Sequence, residues 1–370
     1  MIYLDNAATT YPKPDCVIDA ICDFMKNCGG NPSRGGHTLS QLSGEKVFLC
    51  REEFASLIGA PSPEQFVFTK NTTEALNLAI KGVLSEGDEV IISSMEHNSV
   101  LRSCVDLEKE GVVLKIARAD NRGIVSPEDV SALITNKTKL ICITHISNVT
   151  GSVNPVREIC SIARKKGVLT LLDAAQSGGI LDIDTSCADM IAFAGHKGLY
   201  GPMGTGALYV RKGVKLDTLI EGGTGSFSES ALMPDSLPER FEAGTLNACG
   251  IVGLYEGIRF VKREGVREKE KELGDFLIAQ LSAVKGAKII GAPSAGVVSV
   301  LVRGHDCVDV ATRLDREYNI ATRAGLHCAP MAHRTLGTIT SGLLRFSTGF
   351  FNTKDDISTA SYALESILKN

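Results

Sequence analysis

The chain has 370 residues, 44% of them apolar and 22% charged, with 39 Lys and Arg against 43 Asp and Glu for a formal net charge of −4. Such a composition excludes a largely disordered chain, and no apolar run approaches the roughly 18–20 residues of a bilayer span. No concentrated basic stripe marks a nucleic-acid surface, so neither membrane nor nucleic acid is expected as a partner.

The first ten residues hold no basic segment followed by an apolar core, so no secretory signal is expected. The eleven cysteines are scattered, with no Cys-x-x-Cys pair. Zinc-site spacing is therefore missing, and no metal is expected. Together these features predict free thiols in a reducing cytoplasm, most of them acting as small buried hydrophobes.

In chain order, strands are predicted at 65–69, 89–93, 112–116, 140–145, 168–172, 190–193 and 206–210. Helices are predicted between them at 73–83, 99–110, 127–134 and 155–166. The continuous apolar run Leu140-Ile141-Cys142-Ile143 fits a strand buried on both faces, and the alternation fits an α/β domain with a mainly parallel sheet. Asn154 before Pro155 and Ser126 before Pro127 each place a cap before a first-turn proline. Residues 221–240 are rich in Gly, Ser and Pro and read as a loop; a structureless stretch of that length is usually functional or disordered. From about residue 247 the pattern changes. Helices at 248–263 and 266–284 lead into a strand at 296–302, a helix at 308–318, strands at 320–322 and 343–346, and a final helix. The expected division is a large domain over 15–250 and a small one formed by 1–14 and 251–370.

Four segments follow predicted strands, where ligands of open α/β sheets sit. Gly195-His196-Lys197-Gly198 carries a lysine that, if desolvated, has the lowered pKa of a Schiff-base amine; alone, it also fits a surface lysine. Leu171-Leu172-Asp173-Ala174-Ala175-Gln176 puts a carboxylate at the end of an apolar strand. Asp is almost never fully buried without a partner, and a pyridinium nitrogen is one such partner; a plain N-cap is the alternative. Asn71-Thr72-Thr73-Glu74 offers backbone amides and hydroxyls at a helix start, which suits an anion or simple capping. His97, in Glu96-His97-Asn98, could stack on a cofactor ring or be a solvated loop histidine.

The ordered set resembles the class V aminotransferase family of fold-type I pyridoxal-phosphate enzymes, and more narrowly the cysteine desulfurases of the NifS/SufS group, SufS-like in its short cysteine loop. The resemblance runs nearly end to end. It includes Tyr3-Leu4-Asp5-Asn6-Ala7-Ala8, His37-Thr38-Leu39-Ser40, Thr72-Thr73-Glu74-Ala75, Glu96-His97 and Ile146-Ser147-Asn148-Val149. It continues through Asp173-Ala174-Ala175-Gln176, Gly195-His196-Lys197, Arg240-Phe241-Glu242-Ala243-Gly244-Thr245, Arg323-Ala324-Gly325-Leu326-His327-Cys328 and Arg345-Phe346-Ser347. It implies an α/β fold with a mainly parallel seven-stranded sheet in the large domain and a smaller α+β domain.

The resemblance also implies the cofactor, pyridoxal 5'-phosphate, and a role for each matching position. Lys197 would hold the cofactor covalently, Asp173 would pair with its ring nitrogen, Gln176 would contact the ring hydroxyl and His97 would stack on the ring. Thr72, Thr73 and His196 would bind the phosphate, with Thr245 reaching in from a partner subunit of a homodimer. Asn148 and Arg345 would hold the substrate carboxylate, with Arg323 and His37 also at the substrate. Cys328 would be the nucleophile, its thiolate favoured by Arg323, His327 and a helix starting near Pro330. Ala194 stands where the family often has a serine, so one phosphate hydrogen bond would be missing or supplied elsewhere. The implied activity is conversion of L-cysteine to L-alanine, with a persulfide on Cys328 passed to a sulfur-acceptor protein. Selenocysteine lyase, another class V enzyme such as an aminotransferase or racemase, and a non-catalytic sulfur-relay protein are the alternatives.

Overall fold

A computed structural model of the chain describes residues 1–32, 35–183, 185 and 188–369. Its elements are β1 (Ile2–Tyr3), α1 (Asp15–Asn27), α2 (Thr38–Ile58), β2 (Phe66–Thr69), α3 (Thr72–Val83), β3 (Glu89–Ser93), α4 (Asn98–Glu108), β4 (Val113–Ala117), α5 (Pro127–Leu133), β5 (Thr138–Thr144), α6 (Val156–Lys165), β6 (Leu169–Asp173), β7 (Met190–Ala194) and β8 (Gly206–Val210). After a long connection come α7 (Ala248–Arg263), α8 (Val266–Ala283), β9 (Ala287–Ile289), β10 (Val297–Val302), α9 (Cys307–Tyr318), β11 (Ile320–Ala321), β12 (Arg323–Gly325), α10 (Pro330–Thr335), β13 (Leu343–Ser347) and α11 (Lys354–Leu368).

The larger sheet has seven strands in the order β2-β8-β7-β6-β5-β3-β4. Its pairs are parallel from β7 through β4, and β8 runs antiparallel to both neighbours. Strands β3, β6, β7 and β8 bury nearly every residue, as expected for strands covered by helices on both faces. The predicted seven strands and the α/β class are observed. Helix α5 has the expected cap, with Ser126 accepting from the N–H groups of Glu128 and Asp129 ahead of Pro127. Asn154 does not cap α6: its side chain accepts from Val125 N–H at 3.0 Å and donates to Thr144 O at 2.8 Å, stapling the end of β5 to the preceding loop.

The second sheet, β12-β13-β10-β9, is antiparallel throughout. Helices α8, α9 and α11 pack on it through Leu277, Leu281, Leu314, Ile357 and Leu364. Strand β1 pairs with β11, and Asp5 bridges to Ser347, so the amino terminus joins this unit. The division expected at residue 250 falls inside α7. Ile251, Val252, Leu254 and Ile258 of that helix lie in one core with Phe54, Phe66 and Phe193 of the larger unit, and Phe260 and Val261 at its end lie in another with Tyr200 and Val266. Val149, Ile290, Ala329 and Leu343 form a small core where the two units meet. Residues 221–238 form neither helix nor strand and border a half-open cavity of about 950 Å³.

Candidate active site

The carboxyl ends of β2, β3, β5, β6 and β7 open onto one cavity of about 240 Å³. Thr72, Thr73, His97, Asn148, Asp173, Gln176, His196 and Lys197 line it from the larger unit, and Arg323, His327 and Arg345 from the smaller. These eleven residues thus converge at the position the topology favours for a ligand.

β7 delivers the lysine. A Cβ on Gly195 would collide with Thr205, and one on Gly206 would lie 2.7 Å from the backbone of Asn71, the residue that caps α3. Glycine at both positions lets the Lys197 turn press against the start of α3. The carbonyl of His196, just before Lys197, accepts from Thr10 N–H at 3.1 Å, Thr9 Oγ1 at 3.1 Å and Lys13 Nζ at 2.9 Å. Burial pushes the Lys197 amine down to about 8, Arg345 and Arg323 push the same way, and Asp173 opposes them. A substantial neutral fraction at physiological pH makes it an amine able to act as nucleophile or base.

Asp173 ends β6, and its Oδ1 accepts from Ala175 N–H at 2.9 Å. Burial raises its pKa against that hydrogen bond and Lys197, so the carboxylate lacks a full counter-charge. Gln176 lines the cavity and donates to Ala7 O at 3.0 Å. Glu96, before His97, is fully enclosed; burial pushes it up to about 8. It accepts from Ser93 Oγ and from Thr144 N–H, tying the ends of β3 and β5.

At α3, Asn71 accepts the N–H of Glu74 at 2.9 Å, and the N–H groups of Thr72 and Thr73 have no protein partner among the described residues. A helix start with free amides is an anion site. His97 caps α4: Nδ1 accepts from Ser99 N–H at 3.1 Å and lies 2.7 Å from Ser99 Oγ, which in turn meets Thr73 Oγ1 at 2.9 Å. That network leaves the proton on Nε2. Burial, aided by Lys197, pushes His97 down to about 4, and His196 likewise. Both rings are neutral near pH 7.

Arg323 and Arg345 stand directly opposite one another on β12 and β13. Like charges in that relation repel, so the pair requires anions. Arg345 is 1% exposed; its Nη2 donates to Asp5 Oδ1 at 2.7 Å and its Nη1 to Asn148 O at 3.0 Å. Arg323 Nη2 lies 3.5 Å from Cys328 Sγ. Cys328 is exposed on a turn whose residues His327 and Cys328 have φ of 50° and 58°, conformations that side-chain-bearing residues seldom hold. The expectation that His327 supplies positive charge is overturned. It is 3% exposed, and burial pushes it down to about 3, so it is neutral. Helix α10 does start at Pro330 but spans only six residues.

His37 and Thr245 lie outside the cavity. His37 caps α2, with Nδ1 accepting from Ser40 N–H at 3.4 Å, and Thr245 is exposed. Ala194 is buried at the end of β7, and the hydroxyls of Thr9 and Thr10 donate to the carbonyls of the lysine turn. Asp5, Lys13, Glu96 and Ser99 had no assigned role in the sequence. Asp5 had a signal, an acid inside an otherwise neutral stretch; the others show only through their contacts.

The family described as aminotransferase class-V matches residues 2–359. A "probable cysteine desulfurase" of Methanothermobacter thermautotrophicus is 37% identical over 99% of this chain and 94% of its own length. A "cysteine desulfurase" of Yersinia pseudotuberculosis is 34% identical over 100% and 94%. Among solved structures, the apo cysteine desulfurase of Thermococcus onnurineus superposes with a TM-score of 0.91 at 33% identity, covering 100% of this chain and 94% of that one.

Proposed function

This chain belongs to the class V aminotransferase family and is a cysteine desulfurase dependent on pyridoxal 5'-phosphate, and we propose that Lys197, Asp173 and Cys328 carry its chemistry. The observation that supports this most is the placement of a desolvated amine with its pKa lowered to about 8 in one cavity with a buried, under-compensated carboxylate, with an exposed thiol beside the cavity-lining Arg323.

The residues present fit the cofactor. Asp173 needs a cationic partner, the α3 start offers free amides, and the buried Nδ1 of His196 and Nε of Arg345 have no hydrogen-bond partner among the described residues. Lys197 would hold the cofactor covalently, Asp173 its ring nitrogen, Gln176 its ring hydroxyl, and Thr72, Thr73 and His196 its phosphate, with His97 against the ring. When bound, the cofactor supplies an electron sink for the substrate carbanion.

The chain's own residues do the rest. Arg345, with its planar fork, binds the cysteine carboxylate and fixes the substrate's orientation; Arg323 adds the second charge. The Lys197 amine takes the Cα proton. Cys328 attacks the substrate sulfur as a thiolate: a sulfur–sulfur bond forms, the carbon–sulfur bond breaks, and its electron pair stays with carbon. That carbon, Cβ, takes a proton, Cα takes its proton back from the Lys197 ammonium, the product leaves as alanine, and Cys328 carries the persulfide to an acceptor protein. Thr245 and His37 enter a neighbouring copy's site in a homodimer, consistent with their exposure outside this chain's cavity and with the apolar Ile18, Met25, Leu39, Leu42 and Phe48 exposed on α1 and α2. Among the described residues no helix is long and apolar enough to cross a membrane, and the cytoplasm is the proposed location.

A product assay on the wild type and Cys328→Ala, with cysteine and selenocysteine side by side, tests this reading. Alanine with one persulfide per wild-type subunit is expected from cysteine, and neither from the variant. Full cysteine turnover by Cys328→Ala would overturn it, and turnover of selenocysteine alone would make the protein a lyase for that substrate.

A further inference from the structure

The two units are joined around the cavity at separate places. On the thiol side, Asn148 Nδ2 donates to His327 O at 2.7 Å and Asn98 N–H to Cys328 O at 2.8 Å. On the lysine side the join runs through Tyr200. Its N–H donates to Lys197 O at 2.8 Å and closes the lysine turn. It sits at φ 57°, a conformation that a side-chain-bearing residue holds only when its surroundings impose it. Helix α7 does so here. A Cβ on Gly257 would lie 2.4 Å from Leu199 O and 2.8 Å from Gly201 N, so glycine there lets the helix press on the backbone either side of Tyr200.

The Tyr200 side chain reaches into the smaller unit. Its ring packs on Phe260 at 5.5 Å. Its hydroxyl donates to Glu270 Oε1 at 2.5 Å and accepts the Phe350 N–H at 2.6 Å. Glu270 belongs to α8, and Phe350 lies just beyond β13, the strand of Arg345. Tyr200 is 1% exposed and Glu270 7%. Glu270 has no ion-pair partner among the described residues, and burial pushes it up to about 7. A buried carboxyl without a counter-charge lowers stability. A phenylalanine would fill the place of the ring without that cost, so the hydroxyl is there for what it joins. The amino-terminal segment adds another tie, with Thr10 N–H on His196 O at 3.1 Å and Ala7 N–H on Ser347 Oγ at 2.8 Å. That tie rests on a hydrogen bond at each end of a loop, whereas Tyr200 crosses between the units with one rigid side chain.

We propose that Tyr200 is a positioning residue for Lys197. Its hydroxyl, lodged between Glu270 and the Phe350 N–H, sets how far the amine stands from Arg345, and so from the Cα of a substrate whose carboxylate Arg345 holds. The inference rests on the reading of Lys197 as the amine that takes the Cα proton.

The test uses Tyr200→Phe, which keeps the ring and loses the hydroxyl, Glu270→Leu, which removes the acceptor, and Glu270→Gln, which keeps one. The holoenzyme is assayed, per bound cofactor, for exchange of the Cα hydrogen of L-alanine in D₂O, a proton transfer with no sulfur step. Amide hydrogen exchange over residues 195–201 is followed in the cofactor-free protein.

Tyr200→Phe and Glu270→Leu are each expected to lose at least about fivefold in kcat for alanine exchange with KM within about threefold of wild type, because a small misplacement of a reacting group is costly. The double variant should fall no further than the weaker single variant, since both cut one connection. Glu270→Gln should keep wild-type kcat, and the amides of the lysine turn should exchange faster in Tyr200→Phe. The proposal is overturned by a smaller loss of kcat per bound cofactor, by a rise in KM at constant kcat, by losses that multiply in the double variant, or by unmoved amides. If Tyr200→Phe does not fold, Glu270→Leu decides by the same readings, and failure of both to fold assigns the network to stability and overturns the proposal. Lys197→Ala run alongside keeps the parent reading separate: if it still exchanges the Cα hydrogen, that reading fails whatever the amides show.

Discussion

Arg345 Nη2 lies 2.7 Å from Asp5 Oδ1, an ion pair spanning 340 residues of sequence, with the arginine side chain 1% exposed and the aspartate 20%. The arginine proposed for the substrate carboxylate thus already holds one. A buried guanidinium stripped of its counter-ion is costly, and asparagine keeps an acceptor but not the charge. Asp5→Asn is expected to lose about 1–3 kcal/mol of stability in urea unfolding. Saturating L-alanine should restore more of this in the variant than it adds to the wild type, because its carboxylate replaces the missing anion. An equal gain in both would mean that Asp5 and the substrate do not share the guanidinium.

The Lys197 amine gives the cofactor-free protein a pH signature. Its folded pKa, about 8, lies below the unfolded value of 10.5. Below about pH 8 both states are protonated, and the cost of the buried charge is fully present. Between about 8 and 10.5 the unfolded chain binds more protons, so stability rises with pH. Lys197→Met should abolish a rise of roughly 3 kcal/mol across that window. Parallel pH curves for the two proteins, read by denaturant midpoint, would contradict the assignment.

Glu96 has the opposite sign. Its folded pKa is raised from 4.5 to about 8 by burial, opposed by its hydrogen bonds from Ser93 and Thr144. The protonated carboxyl's contribution is complete below about pH 4.5 and is lost as pH rises to about 8. Glu96→Gln keeps the acceptor oxygen without the titration. Its stability relative to wild type should improve by a few kcal/mol between pH 5 and pH 8, measured as the difference in unfolding free energy. A constant difference across that range would show that Glu96 is ionised in the fold.

Exposed Thr245 gives a test of the second copy. If it serves a partner's site, Thr245→Val paired with Lys197→Ala in one mixed dimer leaves one complete site of two. Each variant alone has none complete. Mixing equal amounts of inactive Lys197→Ala and impaired Thr245→Val subunits should therefore raise activity, measured as alanine released, toward about a quarter of wild type per total dimer, because about half of the dimers are mixed and each of those has one complete site of two. No recovery on mixing would place Thr245 in its own chain's site.

The large sheet was legible because its strands are runs such as Leu140-Ile141-Cys142-Ile143, all buried, punctuated by helix signals. Helix α2 was not. Its buried positions include Ser40, Ser43 and Arg51, and Arg51 is engaged with Glu242 far along the chain, so the apolar period is broken. Strand β12 is three residues long, too short to show a pattern, yet it sets Arg323 opposite Arg345. The site residues that stand in motifs could be named; the pairing of Asp5 with Arg345 and the hold of Asn148 on His327 depend on long-range closure. His327 was misjudged because sequence shows a titratable ring and not its burial.

On the proposed role of Cys328, the turn at His327 and Cys328, at positive φ and gripped at its carbonyls, sets how sulfur leaves. A thiol mounted on a pinned turn makes no long excursion. On that proposal an acceptor brings its own nucleophile to Cys328, partner choice is written in the relief of the surface around it, and delivery is a matter of docking shape, with the length of a swinging arm playing no part.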